Sequence, residues 1–122
     1  VEYSVSFPRL IPLKDSPIDY VDVPDVTMVK LICLARILFP RVGINLSTRE
    51  SANMRDHALM FGVTRISAAS RTTVGGYCSQ DNKDPQFDVI DQRSVPEITA
   101  LLKEKGFDPV FTDWRRIENV KP

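Results

Sequence analysis

The segment INLSTRES, residues 44–51, joins an apolar strand pattern to the start of a helix. Connections of this kind usually contain Gly, Asn or Asp, because these residues adopt the backbone angles that turns require. Here the connection is made of Ser47, Thr48, Arg49 and Glu50, which carry two hydroxyls, a guanidinium and a carboxylate. These residue types indicate that the side chains themselves have a role at the end of this strand.

Strand and helix patterns alternate on both sides of this segment. The predicted strands cover residues 3–12, 44–48, 63–70 and 108–114, and the predicted helices run from a cap at Asp22 to Phe39, over 52–60, and from the SVPE capping box at 94–97 to Lys105. Such alternation predicts an α/β fold with about three parallel βα units. Three units cannot close an eight-stranded barrel, so barrel material of this size would be a partial TIM barrel.

The predicted sheet is open at its edges. Strands at such edges expose backbone groups that can pair with another chain, so we expect an oligomer or a domain-swapped form. The chain begins at Val1 inside a strand pattern, without a Met or a signal-peptide pattern. We therefore expect these residues to belong to a longer protein.

Composition and charge argue against several classes of protein. The formal net charge is zero, and no basic patch or polybasic run favours nucleic acid or an anionic membrane as partner. The longest apolar run, VKLICLARILF, contains Arg36 and is too short to cross a bilayer. With one His, and with Cys33 and Cys78 far apart, the sequence has no metal-ligand spacing. Reduced thiols and a cytoplasmic location are the better interpretation.

Polar side chains stand where the predicted strands end, which is where parallel α/β folds bind their ligands. Arg49 is the main candidate, since its planar fork of donors can hold a carboxylate at two points. Ser67, at the end of the third strand, can donate to the same carboxylate. In the alternative interpretation, Arg49 pairs with Glu50 or another carboxylate of the chain and only joins strand to helix.

The remaining candidates have structural alternatives of similar weight. Arg9 follows the first strand and is either a ligand contact or a solvated surface group. Ser67 and Ser70 are either ligand contacts or small residues that packing requires. We interpret His57 as a surface residue, and no nucleophile–base pair with motif spacing is present. The residues therefore predict an anion site, and they predict no catalytic residue.

Four blocks of the sequence resemble a known enzyme family: SVSFPRLIP (4–12), LSTRES with the following RDH (46–57), GVTRISAASRTTVGGY (62–77) and QFDVIDQRSVPEITALLKEKGFDPVFTDW (86–114). Together they resemble the C-terminal region of the radical SAM aromatic amino acid lyases, and most of all the tyrosine lyases of thiamine biosynthesis. The resemblance implies that residues 1–122 are the biotin- and thiamin-synthesis-associated C-terminal portion of a (βα)-barrel.

The resemblance also implies a reaction for the complete enzyme. With S-adenosylmethionine and a 4Fe–4S cluster, such enzymes cleave the Cα–Cβ bond of L-tyrosine to dehydroglycine (2-iminoacetate) and p-cresol. Dehydroglycine then passes to thiazole synthase, the implied downstream partner. Carried over to this chain, the substrate carboxylate is held by Arg49 and Ser67, with Ser47 and Ser70 as neighbouring candidates. Arg9 is a candidate cofactor contact.

The cluster motif of that superfamily, Cys-x3-Cys-x2-Cys, is absent from the chain. Two scattered cysteines cannot ligate a cluster, so we expect these residues alone to bind neither cofactor and to be inactive. The FeFe-hydrogenase maturases and the tryptophan lyases are alternatives within the same superfamily. A non-catalytic α/β binding domain is the alternative from another class.

Overall fold

The computed structural model of the chain describes residues 3–10, 19–72 and 89–111. The strands are β1 (Ser4–Ser6), β2 (Gly43–Leu46) and β3 (Arg65–Ile66), and the helices are α1 (Asp25–Leu38), α2 (Ala52–Ala58), which continues into a 3₁₀ turn (Leu59–Phe61), and α3 (Val95–Glu104). The Gly75–Gly76 pair and Cys78 lie outside the described residues.

The three strands form one parallel sheet in the order β1–β2–β3. This confirms the prediction of parallel βαβ units. In the register, Asn45 of β2 lies between Ser6 of β1 and Arg65 of β3. A three-stranded parallel sheet occurs both in barrels and in open α/β folds, so the partial TIM barrel stays a prediction.

The strands are shorter than the sequence patterns predict. Only Arg65 and Ile66 of the predicted strand 63–70 pair with β2, which itself ends at Leu46. Ala69 then takes a left-handed conformation with a φ of 50°, which ends the extended course of the chain. The described part of the predicted strand 108–114, residues 108–111, forms no strand.

The predicted cap of α1 is wrong by two residues. Asp22 lies outside the helix, and Pro24 occupies the N-cap position without a side-chain hydrogen bond. The Pro24 carbonyl accepts the backbone N–H groups of Thr27 at 2.9 Å and Met28 at 3.2 Å, so the first turn is closed by the backbone. Asp25 then lies in the first turn, where a negative charge interacts favourably with the helix dipole.

The caps of the other two helices are confirmed. The Ser51 hydroxyl accepts the Met54 N–H at 3.2 Å at the start of α2. At the start of α3, Ser94 and Glu97 form the predicted capping box, in which Glu97 Oε2 accepts the Ser94 N–H at 2.8 Å. Gly62 ends the 3₁₀ turn after α2 with a φ of 99°, a backbone conformation that glycine adopts without strain.

One face of the sheet packs against the helices and the other is polar. The buried apolar core comes mainly from α1, β2 and α2, with members Met28, Ile32, Ala35, Val42, Ile44, Leu46, Met54, Ala58, Leu59 and Val63. Because side chains alternate along a strand, Asn45 and Ser47 lie on the face opposite Ile44 and Leu46. No helix in the described ranges is long and apolar enough to cross a membrane.

Candidate functional site

The carboxyl ends of β2 and β3 bring two of the predicted site residues together. Ser47 and Ser67 each follow directly after the last paired residue of their strand. The backbone N–H of Ser67 donates to the Leu46 carbonyl at 3.0 Å, which holds the end of β3 against the end of β2. Ser67 is exposed and Ser47 is half-buried, so both hydroxyls lie at an accessible edge of the sheet.

Arg49 lies beyond the paired residues of β2, where buried and half-buried residues alternate. Thr48 and Glu50 are buried, whereas Ser47 and Arg49 are half-buried. Thr48 and Arg49 lie in the turn that follows β2, so Arg49 is two residues beyond Ser47 at the carboxyl end of this strand. The Arg49 backbone N–H donates to the Ser47 hydroxyl oxygen at 3.3 Å, and this contact tightens the connection into α2.

Glu50 pairs with Arg9, which follows the first strand; the pairing of Arg49 itself stays a prediction. The Arg9 Nε donates to Glu50 Oε1 at 3.2 Å and Oε2 at 3.1 Å, and Arg9 NH2 also donates to Glu50 Oε2. Arg9 NH1 lies 2.7 Å from Asp25 Oδ1 and donates to the Val23 carbonyl at 2.7 Å. The hydrogen bonds that Arg9 donates to the Glu50 carboxylate raise the pKa of Arg9 despite its partial burial. Arg9 therefore ties the end of β1 to β2 and α1, and its assignment as a cofactor contact stays a prediction.

Neither Ser70 nor His57 lies directly at the end of a paired strand. Ser70 is half-buried and lies beyond the left-handed Ala69, away from the paired part of β3. His57 is exposed on α2, and its Nδ1 lies 2.7 Å from the Asn53 carbonyl oxygen of the same helix. The interpretation of His57 as a surface residue is confirmed. The substrate contact proposed for Ser70 stays a prediction.

A buried charge network next to Ser67 was missed in the sequence. Arg55 is fully buried on α2, and its NH1 and NH2 groups donate to Asp91 Oδ2 and to the Ser67 carbonyl. Arg93 donates from Nε to Asp91 Oδ1 at 2.9 Å, and from NH2 to Asp56 Oδ1 at 2.8 Å. Two arginines and two aspartates thus join α2 to the segment that precedes α3. Two signals were available: an arginine at an apolar position of the α2 pattern, and the opposite charges of Arg55-Asp56 and Asp91-x-Arg93.

The network shifts the pKa of three of its members, Arg55, Asp91 and Arg93. Burial lowers the pKa of Arg55, and the neighbouring Asp91 carboxylate opposes this effect. Burial by itself would raise the pKa of Asp91, but hydrogen bonds from Arg93 and the charges of both arginines lower it to about 2. Hydrogen bonds to Asp91 and Asp56 raise the pKa of Arg93. Asp91 is therefore ionised near neutral pH, and the guanidinium groups of Arg55 and Arg93 compensate the burial of its charge.

A groove runs between β3 and α3, and Ser67 lies on its wall. Its volume is about 720 Å³, which is within the range of small-molecule sites. The other walls come from Asn45 and Arg65 of the polar face, from the Ile98 side of α3 and from residues 107–111. The groove therefore lies along the edge strand β3, with apolar walls from Val63, Ile66 and Leu102 as well as polar ones.

The described residues do not fit an iron–sulfur cluster. They contain one cysteine, Cys33, which is half-buried within α1. No group of three or more His, Cys, Asp or Glu side chains in residues 3–10, 19–72 and 89–111 could hold a metal ion. A 4Fe–4S cluster needs several thiolates at one point, so any such cluster must be ligated by residues other than these.

Comparison with known sequences identifies a domain family. The profile of the Biotin and Thiamin Synthesis associated domain matches residues 6–108. The 2-iminoacetate synthase of Salmonella typhimurium is 37% identical over 112 residues, which are 92% of this chain and 30% of that protein. The enzyme of the same name from Escherichia coli is 38% identical over 114 residues, with the same two shares. The chain thus spans less than a third of the length of these curated relatives.

Two solved structures have the same fold over most of the chain. The FeFe-hydrogenase maturase HydG from Carboxydothermus hydrogenoformans matches with a TM-score of 0.77 and 40% identity, over 91% of this chain and 25% of that structure. A second crystal structure of HydG, a maturase of the FeFe-hydrogenase, matches with a TM-score of 0.79 and 37% identity, over 90% of this chain and 24% of that one.

Proposed function

Because the chain belongs to the Biotin and Thiamin Synthesis associated domain family, we propose that it is the C-terminal region of a radical SAM tyrosine lyase. The complete enzyme would cleave L-tyrosine into 2-iminoacetate and p-cresol, and would pass 2-iminoacetate to thiazole synthase in the cytoplasm. The observation that carries the proposal is the sheet edge at which Ser47 and Ser67 follow the ends of two neighbouring strands, with Arg49 two residues after Ser47.

In this proposal the strand edge binds the carboxylate of tyrosine. A guanidinium offers donors in a planar fork that matches a carboxylate, and Arg49 supplies this group at the carboxyl end of β2. A hydroxyl has one donor and two lone pairs. Ser47 can therefore donate to the substrate while it accepts the Arg49 N–H, and the exposed Ser67 can donate from the neighbouring strand. The substrate is thereby positioned by two strand ends of one rigid sheet.

The proposal assigns the radical chemistry to the rest of the enzyme. The cluster and S-adenosylmethionine supply the hydrogen-abstracting radical when they are bound, and the described residues lack the thiolates for the cluster. These residues contribute the position of the substrate and part of the wall around it. The isolated chain is accordingly expected to show no lyase activity.

The test of the binding site is Arg49→Lys in the complete protein. Lysine keeps the charge but loses the planar fork, so we expect the binding of L-tyrosine to weaken by roughly 1–3 kcal/mol. Isothermal titration calorimetry with L-tyrosine measures this change without turnover. Arg41→Lys is the control, because Arg41 is exposed before β2, at the opposite end of the sheet. Unchanged tyrosine affinity in Arg49→Lys would show that the carboxylate is held elsewhere.

The second candidate is a FeFe-hydrogenase maturase, which the 37–40% identity to the two HydG structures favours about as strongly as the first. Anaerobic reconstitution of the complete protein followed by product analysis separates the candidates. A thiamine-type lyase is expected to release p-cresol with 2-iminoacetate, whereas a maturase is expected to release p-cresol with cyanide and carbon monoxide. Cleavage of tryptophan without p-cresol would contradict both candidates.

The alternative from another class is a non-catalytic α/β binding domain. The reading frame upstream of Val1 separates it from the enzyme. An open frame that encodes Cys-x3-Cys-x2-Cys supports the lyase, and a start codon at the beginning of this sequence contradicts it.

A further inference from the structure

The segment before α3 crosses the carboxyl ends of two strands. The Thr48 carbonyl, just beyond β2, accepts the backbone N–H groups of Ile90 and Asp91, each at 3.0 Å. The Ala69 N–H, just beyond β3, donates to the Arg93 carbonyl at 3.1 Å. This crossing segment, residues 90–93, therefore fixes both strand ends from the same side.

Arg55 connects the crossing segment to the backbone of Ser67. One planar guanidinium donates from NH1 to the Asp91 carboxylate and from NH2 to the Ser67 carbonyl. The Arg55 side chain is 0% exposed, and the Asp91 side chain is 1% exposed. A buried charge requires a partner of opposite charge, and Asp91 is that partner for Arg55. Because both side chains are shielded from water, water cannot readily replace the contacts of Arg55 with Asp91 and with the Ser67 carbonyl.

Both backbone polar groups of Ser67 are consequently held. Its N–H donates to Leu46 of β2 at 3.0 Å, and its carbonyl accepts from Arg55. Two residues further on, the chain is held again where Ala69 donates to Arg93. With the backbone held on both sides, the direction in which the exposed Ser67 hydroxyl leaves the sheet is set by α2 and by the crossing segment.

Arg93 pairs with both Asp91 and Asp56, and it thereby links the crossing segment to α2 a second time. Arg93 NH2 lies 2.6 Å from Asp91 Oδ2 and 2.8 Å from Asp56 Oδ1, and Asp56 is the neighbour of Arg55 on α2. The Asp91 carboxylate is therefore gripped by two guanidinium groups. This leaves it little freedom to turn away from Arg55.

We propose that Arg55 and Asp91 are positioning residues, which hold Ser67 in the direction that lets its hydroxyl reach the substrate carboxylate. This inference rests on the proposed function, in which Ser67 binds that carboxylate. Neither residue touches the substrate. They act through the Ser67 backbone, so their effect on binding must disappear when the Ser67 hydroxyl is removed.

A double-mutant cycle on the complete protein tests this coupling. Arg55→Lys keeps the charge, but a single ammonium lacks the fork that reaches Asp91 and the Ser67 carbonyl together. We expect Arg55→Lys and Ser67→Ala each to raise the Kd for L-tyrosine about ten-fold, and the double variant also to raise it about ten-fold instead of about a hundred-fold. Isothermal titration calorimetry on the folded proteins measures all four affinities.

Arg36→Lys is a matched control at the other end of the sheet. Arg36 of α1 also binds two backbone carbonyls, those of Pro40 at 2.8 Å and Gly62 at 2.6 Å. We expect the same substitution there to lower the melting temperature, as we also expect for Arg55→Lys, while tyrosine affinity stays within about two-fold of the wild type. A merely structural role of Arg55 would give the same result as this control.

The outcomes separate the inference from the proposed function. A wild-type protein that does not bind L-tyrosine overturns the proposed function and the inference that rests on it. A wild-type protein that binds, with additive effects of Arg55→Lys and Ser67→Ala, overturns the inference alone. If Arg55→Lys does not fold, Asp91→Asn replaces it in the cycle, since the loss of the carboxylate charge weakens the contact that orients Arg55. Non-additive effects support the inference.

Discussion

At the scale of single residues, the partner of each buried charge determines its role. Glu50 is 4% exposed and contacts Arg9, although Arg49 is its neighbour in sequence. Asp91 is 2% exposed and contacts Arg55 and Arg93. Both carboxylates lie beside the strand ends, and each is bound by an arginine from another segment of the chain. These ion pairs fix the segments that surround the candidate site.

Stability should depend on Asp91 at low pH. The pKa of Asp91 is lowered to about 2 from its ordinary 3.8, so the folded state favours the ionised form. This contribution is present above the ordinary pKa and is lost as the pH falls through the folded-state pKa. We expect the free energy of unfolding to fall between about pH 4 and pH 2, and Asp91→Asn to remove on the order of 2 kcal/mol of that fall. Urea denaturation at several pH values measures it.

Asp108→Asn is the control for this pH dependence, because Asp108 is exposed after α3. Its pH profile should follow that of the wild type. A profile of Asp91→Asn that also follows the wild type would contradict the ion-pair account of Asp91.

The Glu50–Arg9 pair predicts a second effect on stability. Glu50→Gln removes the charge that faces a guanidinium of which 20% is exposed, so we expect the free energy of unfolding to fall by about 1–3 kcal/mol. Urea denaturation of Glu50→Gln, Arg9→Met and the double variant measures the coupling. The double variant should lose less than the sum of the single losses, and simple additivity would argue against a direct pair.

At the scale of elements, local side-chain chemistry determines where the helices start. α2 and α3 begin at serines whose hydroxyls accept a backbone N–H of the first turn. α1 begins without such a cap, after Pro24, and its first turn relies on the Pro24 carbonyl. α3 is the element that fixes the crossing segment, since residues 90–93 lead directly into its cap.

The capping box of α3 gives the prediction at this scale. Ser94→Ala removes the acceptor for the Glu97 N–H, and we expect a loss of about 1 kcal/mol in the free energy of unfolding. Ser94→Thr retains the hydroxyl and is the matched control, with a smaller expected loss. Thermal unfolding followed by circular dichroism measures both variants. An equal loss in Ser94→Thr would indicate that packing, and not the cap, accounts for the effect.

At the scale of the whole molecule, two kinds of surface can contact another chain: the edges of the described sheet and an exposed apolar stripe on α1. Within the described sheet, β1 and β3 are the edge strands. On α1, Leu34, Ile37 and Leu38 are 52%, 74% and 60% exposed, although they follow helical spacing as a second apolar stripe. Exposed apolar patches and open sheet edges both favour association with another chain or with further parts of the same protein.

The isolated chain is therefore predicted to self-associate. Light scattering of the purified 122-residue chain should give a mass at least twice the 13.8 kDa of one chain. Ile37→Glu places a charge in the middle of the exposed stripe of α1 and should lower the average mass. A monodisperse species of 13.8 kDa for the unchanged chain would contradict the prediction.

The amino-acid sequence predicts the order of the elements from β1 to α3, their parallel pairing and two of the three helix starts. It also predicts that Ser47, Arg49 and Ser67 lie at the ends of strands. These features depend on apolar periodicity and on caps, which act over a few neighbouring residues. Only the tertiary structure paired Arg9 with Glu50, 41 residues away, and Arg55 with Asp91, 36 residues away. Such pairs depend on strand register and on the path of the segment before α3, and opposite charges are too common in a sequence to identify their partners.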